Sequence, residues 1–172
     1  MQIREYREDL TEFVESSQSK IVNVSIRSIG FLGSSRSFAQ GELLDGFIDA
    51  FRHIMENHRE FSIVCSVVRG GYHCPFCDFK DTPLLRDELL SEALLRMPIG
   101  SLIWIPCQTG LVYATHSLCY HYSSEHGYSP PLEFQQAVIF FSENHDRFKW
   151  NANEFYEAAV GITGGRIGVE FS

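Results

Sequence analysis

An α+β fold in a single domain over residues 1–172 is what the sequence predicts, and three observations lead to this prediction. The length of 172 residues matches one domain, and the 44% hydrophobic content is enough for a buried core. Helical and strand-like patterns both occur, without the regular alternation typical of parallel α/β folds. The chain contains no internal repeat or low-complexity segment, and its 13% aromatic content is typical of a folded protein.

The first half of the chain predicts two amphipathic helices with a strand between them. Residues 3–16 predict a helix with Leu10 and Phe13 on one face. The alternation of β-branched residues over Lys20–Leu32 predicts a strand. Apolar residues spaced by three and four predict an amphipathic helix over residues 41–57.

A β-hairpin is predicted in the middle of the chain, between two helices. The short apolar run Phe61–Val68 is a strand or a buried helix, since periodicity does not decide between them. Residues 83–96 predict a helix with acidic first turns. Two β-like runs, Ser101–Pro106 and Leu111–Ala114, are joined through a turn that ends in glycine, which predicts the hairpin.

The last third of the chain is mainly helical by pattern. A helix over residues 115–126 should end at Gly127, because glycine favours the left-handed conformation that closes helices. Ser129, followed by two prolines, is a candidate cap for a helix that runs to about Glu143. A short helix and a terminal strand follow, over Asn153–Val160 and Arg166–Phe171.

Composition and charge exclude several functional classes. The net charge is −8, so neither nucleic acid nor an anionic membrane is an expected partner. The apolar runs are far shorter than the roughly 20 residues of a membrane span, and the charged N-terminus does not resemble a signal peptide. We therefore expect a cytoplasmic protein. Five cysteines, two of them at Cys-x-x-Cys spacing, then indicate metal or redox chemistry instead of a disulfide framework.

A zinc site is the main chemical prediction. Cys74 and Cys77 lie three positions apart on a predicted turn, as in a zinc knuckle. His121 and His126 have four residues between them, within the spacing of histidine pairs in zinc sites. Because these four ligands would leave no open position on the metal, the site is expected to be structural. The knuckle, hairpin and helix would form a zinc-finger-like centre over about residues 70–143, flanked by amphipathic helices.

Other interpretations of these residues stay open at this stage. His73, His116 and Cys119 are competing ligands, with His116 and Cys119 expected on one helix. Cysteines are often simply small buried apolar residues, and His121 would then be a core histidine. A redox Cys-x-x-Cys would need a helix after it, whereas a loop is expected here.

Two enzyme motifs and a glycine loop are disfavoured. His58 and Glu60 form the His-x-Glu of a zinc deaminase, but the proline of a deaminase motif would precede the cysteine pair. Glu125 is a candidate general base only if the metal has an open position. Residues 163–168 resemble a nucleotide-binding glycine loop, but no helix can follow them in this sequence.

An ordered set of motifs resembles a family of small uncharacterised bacterial proteins. The matching residues run from Arg27-Ser28-Ile29-Gly30-Phe31-Leu32, through His73-x-Cys74-x-x-Cys77, to a C-terminal block, Leu118-Cys119-Tyr120-His121-Tyr122-x-x-x-His126-x-Tyr128-x-Pro130-Pro131-x-Glu133-Phe134-x-x-Ala137-Val138. The resemblance implies a zinc site on Cys74, Cys77, His121 and His126. The sequence departs from the family pattern at Thr115-His116, where Ala-Pro is usual, and residues 83–96 resemble an insertion.

The sequence favours a non-enzymatic binding or interaction protein in which zinc holds the fold. The acidic balance would suit a basic protein partner. The alternative is a zinc-dependent, hydrolase-like enzyme in which one of the four residues is not a ligand and water takes its place. A homodimer is a further candidate, since the apolar terminal strand Ile167–Phe171 could pair at an edge.

Overall fold

A four-stranded mixed sheet lies at the centre of the fold. The computed structural model describes residues 6–13, 24–66, 72–77, 99–100, 102–159 and 169–172. The strands are β1 (Ser25–Ser28), β2 (Val64–Ser66), β3 (Tyr72–His73), β4 (Ile99–Gly100), β5 (Leu102–Pro106), β6 (Leu111–His116), β7 (Phe148–Lys149) and β8 (Glu170–Phe171). In the central sheet their order is β1-β6-β5-β2, with β1 parallel to β6 and the other pairs antiparallel.

The hairpin of β5 and β6 confirms the prediction from alternation. The strands pair in register, with Trp104 opposite Ala114. In the turn, the Cys107 N–H donates to the Leu111 carbonyl over 2.7 Å. Gly110 has a φ of +77°, a conformation that costs a residue with a side chain roughly 1–2 kcal/mol.

The hairpin is buried on both faces. Successive side chains along each strand point to opposite faces of the sheet, so alternate residues belong to different cores. On one face Trp104 and Val112 pack with Phe155 and with two aromatic residues from the N-terminal part of the chain. On the other face Ile105 and Tyr113 belong to the larger core, which the helices cover. A strand that is buried on both sides has apolar residues at successive positions. This explains why β5 is apolar along its whole length.

Four α-helices lie in the described ranges. They are α1 (Phe47–Glu56), α2 (Leu118–Glu125), α3 (Leu132–Asn144) and α4 (Ala152–Ala159), with a 3₁₀ turn at His145–Arg147. Helix α1 packs against α3, and the Phe51 and Phe134 rings meet with centroids 6.0 Å apart. The predicted helices at 41–57, 115–126, 129–143 and 153–160 thus exist, with shifted ends.

Three helix starts differ from the predictions because tertiary hydrogen bonds compete with helix formation. Residues 41–46 are not helical, and the Leu44 N–H instead donates to Gln135 Oε1 over 2.8 Å. Ser129 is not a cap: α3 begins after Pro131 without a side-chain cap, and the Ser129 hydroxyl donates to the Glu42 carbonyl. Residues 115 and 116 belong to β6.

The predicted N-terminal helix over residues 3–16 is wrong for the part that the structure describes. Residues 6–13 form a turn and an isolated bridge between Glu12 and Arg27. The Leu10 N–H donates to the Ser28 carbonyl over 2.8 Å, and the Ser28 N–H donates to the Thr11 carbonyl over 2.8 Å. Backbone groups that pair with β1 are not available to a helix.

The remaining predicted elements lie partly or wholly outside the described residues. The run at 61–68 contributes β2, so the strand interpretation holds for Val64–Ser66. At the C-terminus, Glu170–Phe171 forms β8 and pairs with β7. The predicted helix at 83–96 and the glycine loop at 163–168 lie outside the described residues. No helix among the described residues has the length and apolar character that crossing a membrane requires.

We expect Gly30→Ala to destabilise the protein more than Gly110→Ala. Both glycines have positive φ, +70° and +77°, so each substitution should cost about 1–2 kcal/mol of backbone strain. A Cβ at Gly30 would also lie 3.1 Å from Cys119 Sγ, whereas no described atom lies within 4 Å of one at Gly110. Overpacking of that kind adds about 1–3 kcal/mol.

Urea denaturation of the two variants, fitted for the free energy of unfolding, measures the difference. Equal losses in the two variants would contradict the close packing of Gly30 against α2.

Candidate metal centre

The first half of the candidate centre is a tight turn directly after β3. Strand β3 pairs antiparallel with β4, and residues 74–77 turn away from it. Cys74 and Cys77 lie at the two ends of this turn. The Phe76 N–H donates to Cys74 Sγ over 3.4 Å, a contact that stabilises sulfur ligands and fixes their direction. The turn therefore presents both sulfurs on one side.

The second half of the centre is the C-terminal end of α2. His121 lies within the helix, and His126 is its C-cap residue with φ −118° and ψ 4°. On a regular helix, five residues would rotate the second side chain by about 140° from the first. Gly127, with φ +69°, ends the helix, and the Tyr128 N–H returns to the Tyr122 carbonyl over 3.0 Å. His126 leaves the helical path and can face the same point as His121.

The four side chains converge on one point. One ligand atom of each of Cys74, Cys77, His121 and His126 lies within 4.8 Å of all the others. His126 Nε2 is 3.2 Å from His121 Nε2 and 3.3 Å from Cys74 Sγ. Cys77 Sγ is 3.3 Å from His121 Nε2 and 3.4 Å from His126 Nε2. The structure thus brings together the four residues that the sequence singled out.

These separations match the edges of a tetrahedral zinc site. Zinc–sulfur bonds of about 2.3 Å and zinc–nitrogen bonds of about 2.0–2.1 Å separate a sulfur from a nitrogen by roughly 3.5 Å and two nitrogens by roughly 3.3 Å. The observed sulfur–nitrogen separations are 3.3–3.4 Å, and the nitrogen–nitrogen separation is 3.2 Å. All four separations are slightly shorter than the corresponding edges of such a tetrahedron.

Hydrogen bonding alone does not account for this arrangement. His126 Nε2 has three close neighbours, Cys74 Sγ, Cys77 Sγ and His121 Nε2. An imidazole nitrogen offers either one hydrogen or one lone pair, so it serves only one of the three. In a tetrahedron, by contrast, every vertex has three near neighbours, and a cation at the centre satisfies all four lone pairs together.

The electrostatics of the cluster favour a cation at its centre. Cys74 is buried, and this burial raises the pKa of its thiol to about 11, with Cys77 adding to the rise. Burial also lowers the pKa of His121, and the neighbouring His126 lowers it further. The imidazole of His121 is therefore held neutral, the state that binds metal ions, and a cation at the centre would stabilise the thiolate form of Cys74.

An aromatic wall covers one side of the cluster. The ring of Phe76 lies 5.4 Å from the His126 ring and 5.6 Å from the Tyr122 ring, measured between centroids. Phe38 extends this wall, with its ring 5.2 Å from that of Phe76. Apolar groups around a metal site limit the access of water and strengthen its electrostatic interactions.

His116 and Cys119, two of the three competing ligands, lie outside the cluster. His116 is in β6, against the Phe31 ring at 5.0 Å, and is not on a helix with Cys119 as predicted. Cys119 is buried in α2, and burial raises the pKa of its thiol, which argues against a reactive nucleophile. His73 lies in β3, and its side chain is outside the described part. Neither His58 nor Glu125 belongs to the cluster.

A partly buried hydrogen bond next to the centre was not predicted from the sequence. The Tyr128 hydroxyl donates to Asp9 Oδ2 over 2.6 Å, and the Gly30 N–H donates to Asp9 Oδ1 over 2.8 Å. Burial raises the pKa of Asp9. Tyr128 stands two residues after His126, so this bond ties the N-terminal segment to the end of α2. The only signal in the sequence was Tyr128 within the motif, and nothing there pointed to Asp9.

Comparison with known proteins places the chain in a family. Residues 5–139 match a family described as a domain of unknown function, DUF7919, and the chain belongs to that family. No curated protein and no solved structure matches the chain significantly. The matched range contains all four residues of the cluster, together with Asp9 and Tyr128.

We expect His116 to make the protein less stable in acid. Burial lowers the pKa of His116 from 6.5 to about 3. As the pH falls below 6.5, the unfolded chain takes up a proton there, while the folded chain does so only near pH 3. The free energy of unfolding should then fall by up to about 1.4 kcal/mol per pH unit between these values.

Urea denaturation from pH 7 to 4, with a chelator present throughout, tests this expectation. His116→Phe should flatten the pH dependence, and His53→Gln, at an exposed position, should not. A pH dependence unchanged by His116→Phe would contradict the assignment.

Proposed function

We propose that this protein binds one zinc ion through Cys74, Cys77, His121 and His126, and that the ion is structural. The observation that carries the proposal is the separation of the ligand atoms, which is 3.2–3.4 Å for the four pairs given above. Two residues of a turn and two at a helix end, far apart in sequence, reach these separations without a covalent link.

The donor set favours zinc over the other common metals. Thiolate sulfur and imidazole nitrogen suit zinc, whereas magnesium and calcium require oxygen ligands. No carboxylate belongs to the cluster in the described part of the chain. A site of two sulfurs and two nitrogens in a tetrahedron is common for structural zinc and has no redox chemistry of its own.

A closed site supports a non-enzymatic role. With four protein ligands, zinc has no position for water or substrate, so it does not generate a nucleophile. Glu125, the candidate base, is exposed and outside the cluster. In the proposal, zinc fixes the turn at residues 74–77 to the end of α2.

The proposed activity of the folded protein is binding of a partner with a basic surface. The net charge of −8 supports this choice, because opposite charge accelerates and orients association. A partner of this kind should bind more weakly as salt is raised, and light scattering of the protein alone distinguishes it from a homodimer.

The purified protein should contain about one zinc per chain. Cys77→Ser and His126→Ala should lose most of it, since each removes one corner of the site. Cys107→Ser is the matched control, because Cys107 is also a partly buried thiol but lies outside the cluster. Inductively coupled plasma mass spectrometry gives the metal content, and circular dichroism shows whether each variant folds.

Zinc should also raise the unfolding temperature of the wild type. An ion at 1,000 times its dissociation constant stabilises the folded state by about 4 kcal/mol. A folded wild type that takes up no zinc after refolding in its presence would overturn the proposal, and so would equal zinc content in all the variants.

Cobalt substitution should show four protein ligands. Cobalt bound by two thiolates in a tetrahedron absorbs visible light strongly, and added azide should leave the spectrum unchanged because no position is open. In His121→Ala, azide should enter the vacated position and change the spectrum. An azide response in the wild type would instead favour the hydrolase-like alternative, in which water occupies one position.

A further inference from the structure

A cleft lies beside the hairpin turn. It has a volume of about 350 Å³ and is formed by the end of β5, the turn to β6 and the first turns of α3. Cavities of roughly 300–1,000 Å³ are typical of sites that bind small molecules. None of the four residues of the candidate metal centre lines it. The cleft is therefore a separate feature from the proposed zinc site.

The cleft has an apolar floor and a polar rim. Leu111, Ala137 and Phe140 are buried or partly buried along the floor. Thr109 and Gln136 stand exposed at the rim, one from the hairpin turn and one from α3. A ligand that fills this space would bury an apolar body and keep a polar group near the mouth.

Tyr113 is the tyrosine among the residues that line the cleft. Its side chain is 2% exposed and packs on the Phe134 ring, with centroids 5.3 Å apart. Burial, and then the charges of Cys107 and Glu133, raise the pKa of Tyr113 to about 12. Cys107 and Glu133 line the cleft together with Tyr113.

The lining of the cleft contains an acidic residue and, among the described residues, no basic one. Glu133 supplies the one carboxylate among the described lining residues. The described lining residues include no lysine, arginine or histidine. Glu133 lies in the first turn of α3 and is exposed. A positively charged group at the mouth would therefore complement the lining, and an anion would be repelled.

We propose that this cleft binds a small organic cation, namely a primary ammonium group on an apolar body. The ammonium would donate hydrogen bonds to the Glu133 carboxylate and to the Tyr113 hydroxyl oxygen, and the hydrocarbon would lie on Ala137 and Phe140. This is a binding site in addition to the proposed zinc site, and neither depends on the other.

Three probes of one shape and different charge test the proposal. They are 2-phenylethylammonium, 2-phenylethanol and 3-phenylpropionate, each titrated at millimolar concentration into the zinc-supplied, ¹⁵N-labelled protein. The ammonium probe should shift the amide signals of Thr109, Gly110, Leu111 and Gln136 in a saturable way. The alcohol should bind about tenfold more weakly, because it lacks the charged hydrogen bond, and the carboxylate more weakly still.

Variants then assign the selectivity to its residues. Glu133→Gln should reduce the affinity for the ammonium probe about tenfold, to near that of the alcohol. Glu143→Gln, on the same helix and outside the cleft, should leave the affinity unchanged. Tyr113→Phe should weaken the binding of the ammonium and the alcohol together.

Four results would overturn the proposal. They are equal affinity for all three probes, preference for the carboxylate, shifts confined to amides outside the cleft, and no shift with any probe. A wild type that binds zinc but shows one of these results would refute the cleft proposal alone.

Discussion

The end of α2 at Gly127 is the constraint on which much of the structure depends. Its φ of +69° takes the chain out of the helix just after His126 and returns the Tyr128 N–H to the Tyr122 carbonyl. The same turn directs the Tyr128 hydroxyl to the partly buried carboxylate of Asp9. One residue that favours left-handed backbone thus orders both the candidate metal centre and the contact with the N-terminal segment.

The turn at residues 74–77 depends on the candidate centre for its stability, whereas the hairpin of β5 and β6 depends on the core. Strands β3 and β4 contribute only two residues each, whereas β5 and β6 are buried on both faces. A two-stranded ribbon is marginal in water without further packing. In the proposed zinc-bound state, the metal adds to the stability of this ribbon, because binding at a preformed set of ligands adds to the free energy of folding.

Local patterns in the sequence predicted the elements whose stability is local. The hairpin followed from alternation, and the two halves of the candidate centre followed from the spacing of Cys74 with Cys77 and of His121 with His126. The failures occurred where distant backbone groups compete: residues 6–13 pair with β1, and Leu44 donates to Gln135. The cleft was not predictable, because its residues come from a turn and a helix whose packing no local pattern encodes.

The parallel pairing of β1 with β6 constrains the order in which the protein can fold. Ser25 lies beside Leu111, so the sheet cannot close until the hairpin has been synthesised. A growing chain would therefore hold apolar residues that precede the hairpin, including Phe31, without their final cover until the hairpin has been synthesised. Pairings between distant segments are slow because loop closure must precede the contacts that stabilise them. During this interval the exposed apolar residues of the segment favour aggregation.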